Sequence, residues 1–307
     1  MDPMKAALAA MKESSTSLLS ALGILRELVK ARLVALVLIT TLTGYFVARV
    51  ASSDWLGCLH VLIGTALVAA GGAALNEWWE RDLDARMERT ARRPLPLGLV
   101  DATFVLVLGL VASVAGLVYL ALVVNLLTAG LGVLALVSYV LIYTPLKVLT
   151  TLNTFVGALP GALPPLMGWT AARGEIGAGG LALFGILFCW QIPHFMAIAW
   201  LYREQYAQAG FRMMPVVDPA GRATGWSALL SAGLLLLVSL VPTWVGVAGF
   251  AYGFGALALG AAFLGSTLVF TLERDRSRAR IVFFSSIVYL PLLLGLLMLD
   301  SALRSLG

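Results

Sequence analysis

The stretch Asn76-Glu77-Trp78-Trp79-Glu80-Arg81-Asp82-Leu83-Asp84 places four acidic side chains at the end of a strongly apolar segment. Asn76, Glu80 and Asp84 are spaced i, i+4, i+8, which on a helix of about 3.6 residues per turn puts all three on one face. Hard oxygen ligands stacked on one face, with Arg86, Arg89, Arg92 and Arg93 just beyond them, are the groups that a magnesium–diphosphate site needs. The same residues also suit a solvated, salt-bridged helix end built on pairs such as Asp82–Arg86, and composition leaves both readings open. Asn76 weighs toward ligation, because it adds an oxygen but no charge and stands in register with Glu80 and Asp84.

Other polar side chains fall at the ends of apolar runs. Lys147, in Tyr143-Thr144-Pro145-Leu146-Lys147, is the only charged residue between Asp101 and Arg173. It is either a topology marker or a point charge within reach of a phosphate. Farther along stands Trp190-Gln191-Ile192-Pro193-His194-Phe195, where Gln191 and His194 are i, i+3 and are expected to share a face, and Pro193 frees a carbonyl one turn earlier. With only His60 and His194 in the chain, a His-rich metal site is excluded; His60 receives no role. Asp101 precedes an apolar run and suits a helix N-cap. Gly157, Pro160, Gly161, Pro164, Pro165 and Gly168 crowd one segment and imply either a kink or close backbone packing. Cys58 and Cys189 fall within apolar runs and read as buried thiols rather than a disulfide.

The elements that must position these groups follow from composition. The chain of 307 residues is 60% hydrophobic and 12% charged, against roughly 25% charged in soluble domains. It is an all-α polytopic membrane protein, and its +5 net charge speaks of topology rather than nucleic acid. Charge-free runs of about 20 residues mark the spans: 33–48, 55–76, two within 102–146 turning at Asn125, 148–172, 176–202, two within 223–272 turning near Gly249, and 281–299. With nine helices and a cytoplasmic N-terminus, 18 of the 21 Lys and Arg fall on the inner side, leaving Arg49, Arg173 and Arg304 outside. The C-terminus is then outside. Residues 1–32 form a cytoplasmic lead-in without the pattern of a cleavable signal, and 33–307 a single membrane domain. Charge on the inner side gathers in two loops, 76–101 and 202–225. A transporter would need polar groups through both leaflets, whereas here the outer half is nearly bare.

Asn76-x3-Glu80-x3-Asp84, continuing as Met87-x-Arg89-Thr90-x2-Arg93-Pro94-Leu95, resembles the first signature of the UbiA superfamily of membrane prenyltransferases. Tyr143-Thr144-x2-Lys147, Gly161-Ala162-x-Pro164-Pro165-x2-Gly168 and Trp190-Gln191-x-Pro193-His194-Phe195 resemble its protoheme IX farnesyltransferase, or heme O synthase, branch. The resemblance implies a UbiA-type bundle around a central cavity open to the inner side, in a bacterial inner membrane. It implies transfer of the farnesyl group of farnesyl diphosphate to a vinyl group of heme b. Mg²⁺ would be held by Asn76, Glu80 and Asp84, with Glu204 as an extra candidate, and the diphosphate by Arg89, Arg93 and Lys147. Trp190, Phe195 and Tyr143 would offer aromatic faces to the allylic cation. Gln191 and His194 would meet heme, His194 either as an iron ligand or as a hydrogen-bond donor to a propionate. A downstream heme A synthase or oxidase assembly factors are the implied partners. Two departures stand out: Val148 follows Lys147 where the family commonly has arginine, and Gln205 precedes Tyr206 where it commonly has aspartate, so a second metal there rests on Glu204. The alternatives are a UbiA-type enzyme acting on a quinone precursor or another tetrapyrrole, a transporter, and a non-catalytic assembly scaffold.

Overall fold

The computed structural model describes residues 21–48 and 54–304. The expectations for residues 1–20, for Arg49 and for the last three residues lie outside the described part. Among the described residues, nine long helices follow in order: α1 Ala31–Ala48, α2 Trp55–Asp84, α3 Ala102–Val124, α4 Leu126–Leu149, α5 Asn153–Arg173, α6 Ala178–Leu201, α7 Arg222–Trp244, α8 Phe250–Glu273 and α9 Arg276–Arg304. Among the described residues, eight are long and apolar enough to cross a membrane. The ninth, α5, has 21 residues, about 31 Å at 1.5 Å per residue and so bilayer length. Its glycines and prolines, not its length, set it apart from the other eight.

The turns sit where short polar side chains can replace backbone partners. Asn125 breaks the long apolar run in an extended conformation, and its side chain accepts from Thr128 N at 2.7 Å while donating to Thr170 O at 3.0 Å. Asp101 caps α3 as expected, accepting from Phe104 N at 3.0 Å, and Gly249 opens α8. The prolines of α5 do not split it. The close-packing alternative holds instead: a Cβ on Gly44 would strike the Pro165 carbonyl oxygen, and one on Gly168 that of Thr41, so α1 and α5 meet backbone to backbone.

Two local features place the chemistry. Helix α2 has 30 residues, about 45 Å, which exceeds the hydrocarbon core of about 30 Å. It therefore runs on through Asp84, beyond one edge of that core, rather than ending near residue 76. In α4, residues Ser138–Tyr143 open into a π-helical turn just before Pro145, and Thr144 Oγ1 bonds back to Tyr139 O at 2.9 Å. Proline cannot supply the next backbone donor and crowds the preceding turn, and a widened turn relieves both defects. Cys58 and Cys189 are both buried.

Candidate active site

Helices α1, α2, α4 and α5 enclose a cavity of ≈ 340 Å³. Its polar end carries Asn76, Glu80 and Asp84 from α2, and Tyr139, Tyr143 and Lys147 from α4. Each set is spaced i, i+4, i+8, so two helix faces look at each other. Lys147 Nζ stands 2.6 Å from Glu80 Oε1 and 2.9 Å from Oε2. Asn76 Nδ2 donates to Thr144 Oγ1 at 2.9 Å, and its Oδ1 accepts from Lys30 Nζ at 2.6 Å. Arg93 is paired with Asp84 and lies 3.8 Å from Glu77 Oε1. Asn76, Glu77, Glu80 and Asp84 are all at most 3% exposed, which rules out the solvated-end reading for this face. The other face of the same turn does behave that way: Asp82 is exposed and pairs loosely with Arg81 at 3.9 Å.

Three cations therefore answer three carboxylates. Burial pulls the Arg93 guanidinium down, but the Asp84 and Glu77 carboxylates more than reverse this and hold it above its ordinary value. Lys30 is pushed down to about 8, by burial first and by the Arg93 charge second. Sequence reasoning missed Lys30, which the lead-in boundary at residue 32 set apart from the domain. A left-handed turn at Lys30 (φ 48) separates a helical stretch at 21–28 from α1, and Leu28 is buried against Ala74, Leu95 and Val105. The only available signal was a lysine at the inner end of an apolar span, the same signal that marked Lys147.

The second charged loop, 202–225, contributes aromatic and apolar groups to the cavity rather than an acid. Tyr206, Phe211 and Met213 line the cavity. Arg89 donates to Tyr206 OH at 3.2 Å and lies over the rings of Tyr202 and Tyr206. Arg212 N bonds to Lys147 O at 2.7 Å, tying this loop to α4. Glu204 is exposed and shares a small separate pocket with Arg203, Arg274, Asp275 and Arg276, so it does not line the cavity that holds Asn76, Glu80 and Asp84. Positions 204 and 206 lie about 200° apart around a helix, and Tyr206 takes the cavity side.

The α6 motif divides as well. Gln191 and Phe195, one turn apart, line the cavity, and Gln191 Nε2 donates to Ala158 O at 3.2 Å. Gln191 fits because a Cβ on Gly161 would collide with its side-chain oxygen. Trp190 and His194, also one turn apart, point to α9 instead. Trp190 Nε1 donates to Ser286 O at 2.8 Å, His194 Nδ1 meets Ser286 Oγ at 2.7 Å, and the imidazole is stacked with Trp190 and Phe283. The expected common face of Gln191 and His194 is thus not found. Ser286 Oγ spends its proton on Phe283 O at 2.6 Å, so His194 Nδ1 is the donor to Ser286 and Nε2 keeps its lone pair. Tyr143 does line the cavity, and Lys147 Nζ lies 4.6 Å from its ring centroid.

The donor set fits magnesium only in part. Among the described residues, no three His, Cys, Asp or Glu side chains converge on a metal position by themselves. That suits an ion which keeps waters and is bound by one or two carboxylates together with substrate phosphate oxygens, not by an all-protein cage. Asn76, Glu80 and Asp84 supply oxygens only, and each is already held by a positive side chain.

A UbiA prenyltransferase family profile matches residues 37–288. The protoheme IX farnesyltransferase of Solibacter usitatus is 48% identical over 89% of this chain and 97% of its own length. That of Koribacter versatilis is 44% identical over 89% and 92%. In fold, the chain is similar to a digeranylgeranylglyceryl phosphate synthase (TM-score 0.79, 18% identity, 91% of this chain and 98% of that one). It is also similar to a UbiA homologue from Archaeoglobus fulgidus bound to DMAPP and Mg²⁺ (TM-score 0.65, 15% identity, 91% and 99%). The chain belongs to the UbiA prenyltransferase family, within its group of protoheme IX farnesyltransferases.

Proposed function

We propose that the protein transfers the farnesyl group of farnesyl diphosphate to a vinyl group of heme b and that water adds to the product, giving heme O and diphosphate. The observation that carries this reading is the buried acidic face of α2, matched by Lys30, Lys147 and Arg93 at the inner end of an apolar cavity. Without substrate these charges satisfy one another. A diphosphate gives the three cations an alternative partner, and Glu80 and Asp84, with Asn76, would then be free to hold Mg²⁺. Mg²⁺, when bound, neutralises charge that builds on the leaving group.

The bond between farnesyl C1 and the bridging oxygen breaks with its electron pair leaving on diphosphate. Lys30, Lys147, Arg89 and Arg93 take up that charge in a site already arranged for it. The vinyl π-electrons form the new bond to C1. Water adds to the carbon left electron-deficient beside the pyrrole and releases a proton. Tyr143, Tyr139 and Phe195 turn ring faces or edges into the cavity, where a ring face steadies an allylic cation and dry walls protect it from premature capture by water. Gln191 and Phe195 are the proposed acceptor contacts, and Trp190 with His194 fixes their aim by locking α6 to α9. A second reading keeps His194 as an iron ligand, favoured by the free Nε2 lone pair; a propionate contact would need a proton there.

The protein is a multi-pass membrane protein; residence in the bacterial inner membrane with the site facing the cytoplasm is the proposed setting, since the two charged loops and most Lys and Arg share that side. The test is purified protein with labelled farnesyl diphosphate, heme b and Mg²⁺, read by mass analysis of extracted heme. Labelled heme O is the expected result. Label on an added aromatic acid and not on heme would overturn the reading.

A further inference from the structure

The apolar part of the cavity has a definite depth. Along α2 its wall is made by Gly72, Ala69, Val68 and Thr65, going outward from Asn76. Thr65 precedes Asn76 by 11 residues, about 16 Å of helix. On α5 the wall runs from Gly157 to Met167 and on α4 from Lys147 to Ala135, about 15 Å and 18 Å. Three helices thus end the cavity at one level. Beyond it the bundle is filled: Tyr45, Cys58, Val61, Leu120 and Leu166 pack with Val68 and Met167 in one buried cluster. A Cβ on Gly64, next to Thr65, would fall 2.5 Å from Leu120 Cδ2. Met167 is 1% exposed and reaches across to α4, its Cε 3.5 Å from where a Cβ on Gly132 would stand.

A prenyl chain of three isoprene units has twelve main-chain carbons, hence twelve bonds counting the one from C1 to the diphosphate oxygen, about 15 Å when extended with bonds of about 1.5 Å. Two units span about 10 Å and four about 20 Å on the same basis. We propose that Thr65 and Met167 form the floor of a prenyl tunnel that sets donor length at three isoprene units, with Ala69 marking the two-unit level. Ala69 precedes Asn76 by 7 residues, about 10 Å. This inference rests on the prenyl-transfer reading and deepens it, assigning donor selectivity to residues far from the diphosphate.

The test uses purified full-length protein with heme b, Mg²⁺ and geranyl, farnesyl or geranylgeranyl diphosphate in competition, with product ratios read by mass. Ratios taken within one preparation do not depend on its active fraction. Met167→Ala is expected to raise geranylgeranyl over farnesyl transfer by about tenfold or more, and Ala69→Leu to raise geranyl over farnesyl similarly, the scale of discrimination that extra methylenes provide in an apolar pocket. Thermal shifts of the same variants with non-hydrolysable thiolodiphosphates of each length should follow the same order. Unchanged ratios and shifts in both variants, with farnesyl transfer intact in the parent, would overturn the floor while leaving the proposed reaction standing. A parent protein that transfers no prenyl group would overturn the underlying reading itself.

Discussion

The α2–α4 seam and the α6–α9 seam both bring polar side chains into an apolar helix pair, and they do so to opposite ends. At α2–α4 the groups are largely ionic, of opposite sign, and border open space: Lys147 on Glu80 and Arg93 on Asp84, with Lys30 donating to the neutral Asn76. At α6–α9 they are neutral, hydrogen-bonded and stacked, and fill the contact: His194 and Trp190 on Ser286, with Phe283 against the imidazole. A charge pair beside a cavity can be exchanged for a charged ligand. A neutral bond inside a packed contact has nothing to exchange with and contributes to holding the helices together. The lesson is that a polar residue within a span announces cost, while the neighbour decides whether that cost supports chemistry or packing.

The contrast is broken most severely at the acidic face. Glu80→Gln and Asp84→Asn keep shape but remove charge, and each should lower kcat for heme O formation by on the order of 10²–10³-fold, the scale of a lost electrostatic contact in the transition state. Single-turnover mass analysis checks this, and near-parental rates would return α2 to a structural role. Lys147→Met leaves Glu80 buried without its partner, so stability should fall by about 3 kcal/mol along with activity, measured by unfolding in detergent. The double variant Lys147→Met with Glu80→Gln should recover part of the stability but no activity.

Lys30→Met should raise KM for farnesyl diphosphate about tenfold, the loss of roughly one charge contact of 1.4 kcal/mol. In the free protein Lys30 sheds its proton from about pH 8, so its positive charge is present below that pH and lost as pH rises through it. Hence kcat/KM, which reports the free enzyme, should fall above about pH 8, and this limb should vanish in Lys30→Met. At the other seam, His194→Ala should cost about 2 kcal/mol of stability with turnover per folded molecule within about threefold. If the folded variant instead loses the absorption change seen on heme binding, the α6–α9 seam joins the site. The smallest effect is reserved for Glu204→Gln, under twofold in activity, because that side chain faces the arginines of a separate pocket.

How far the site was legible varied residue by residue. Helical periodicity alone aligned Asn76, Glu80 and Asp84, and their burial now agrees with that alignment. The same rule misjudged α6. An i, i+3 pair is separated by about 60° around a helix, and the cavity edge falls between Gln191 and His194. Tyr206 was visible only as the neighbour of Gln205 and Phe211 carried no signal, since aromatic residues in a connection acquire a direction only when it folds back over α4. Lys30 was visible as charge but not as a site residue, because what makes it one is a hydrogen bond to a side chain 46 positions away.

The sequence by itself determined the solvent and the helical class: hydropathy is a sum over many residues, and sums survive local error. It also determined the face on which the α2 oxygens lie, because a helix has a fixed period. The tertiary structure alone decided which cation meets which carboxylate, which half of the Trp190–Phe195 motif faces the cavity, and where Thr65 and Met167 close it. Those are properties of contacts between helices, and no spacing along one chain segment encodes the rotation of its neighbour.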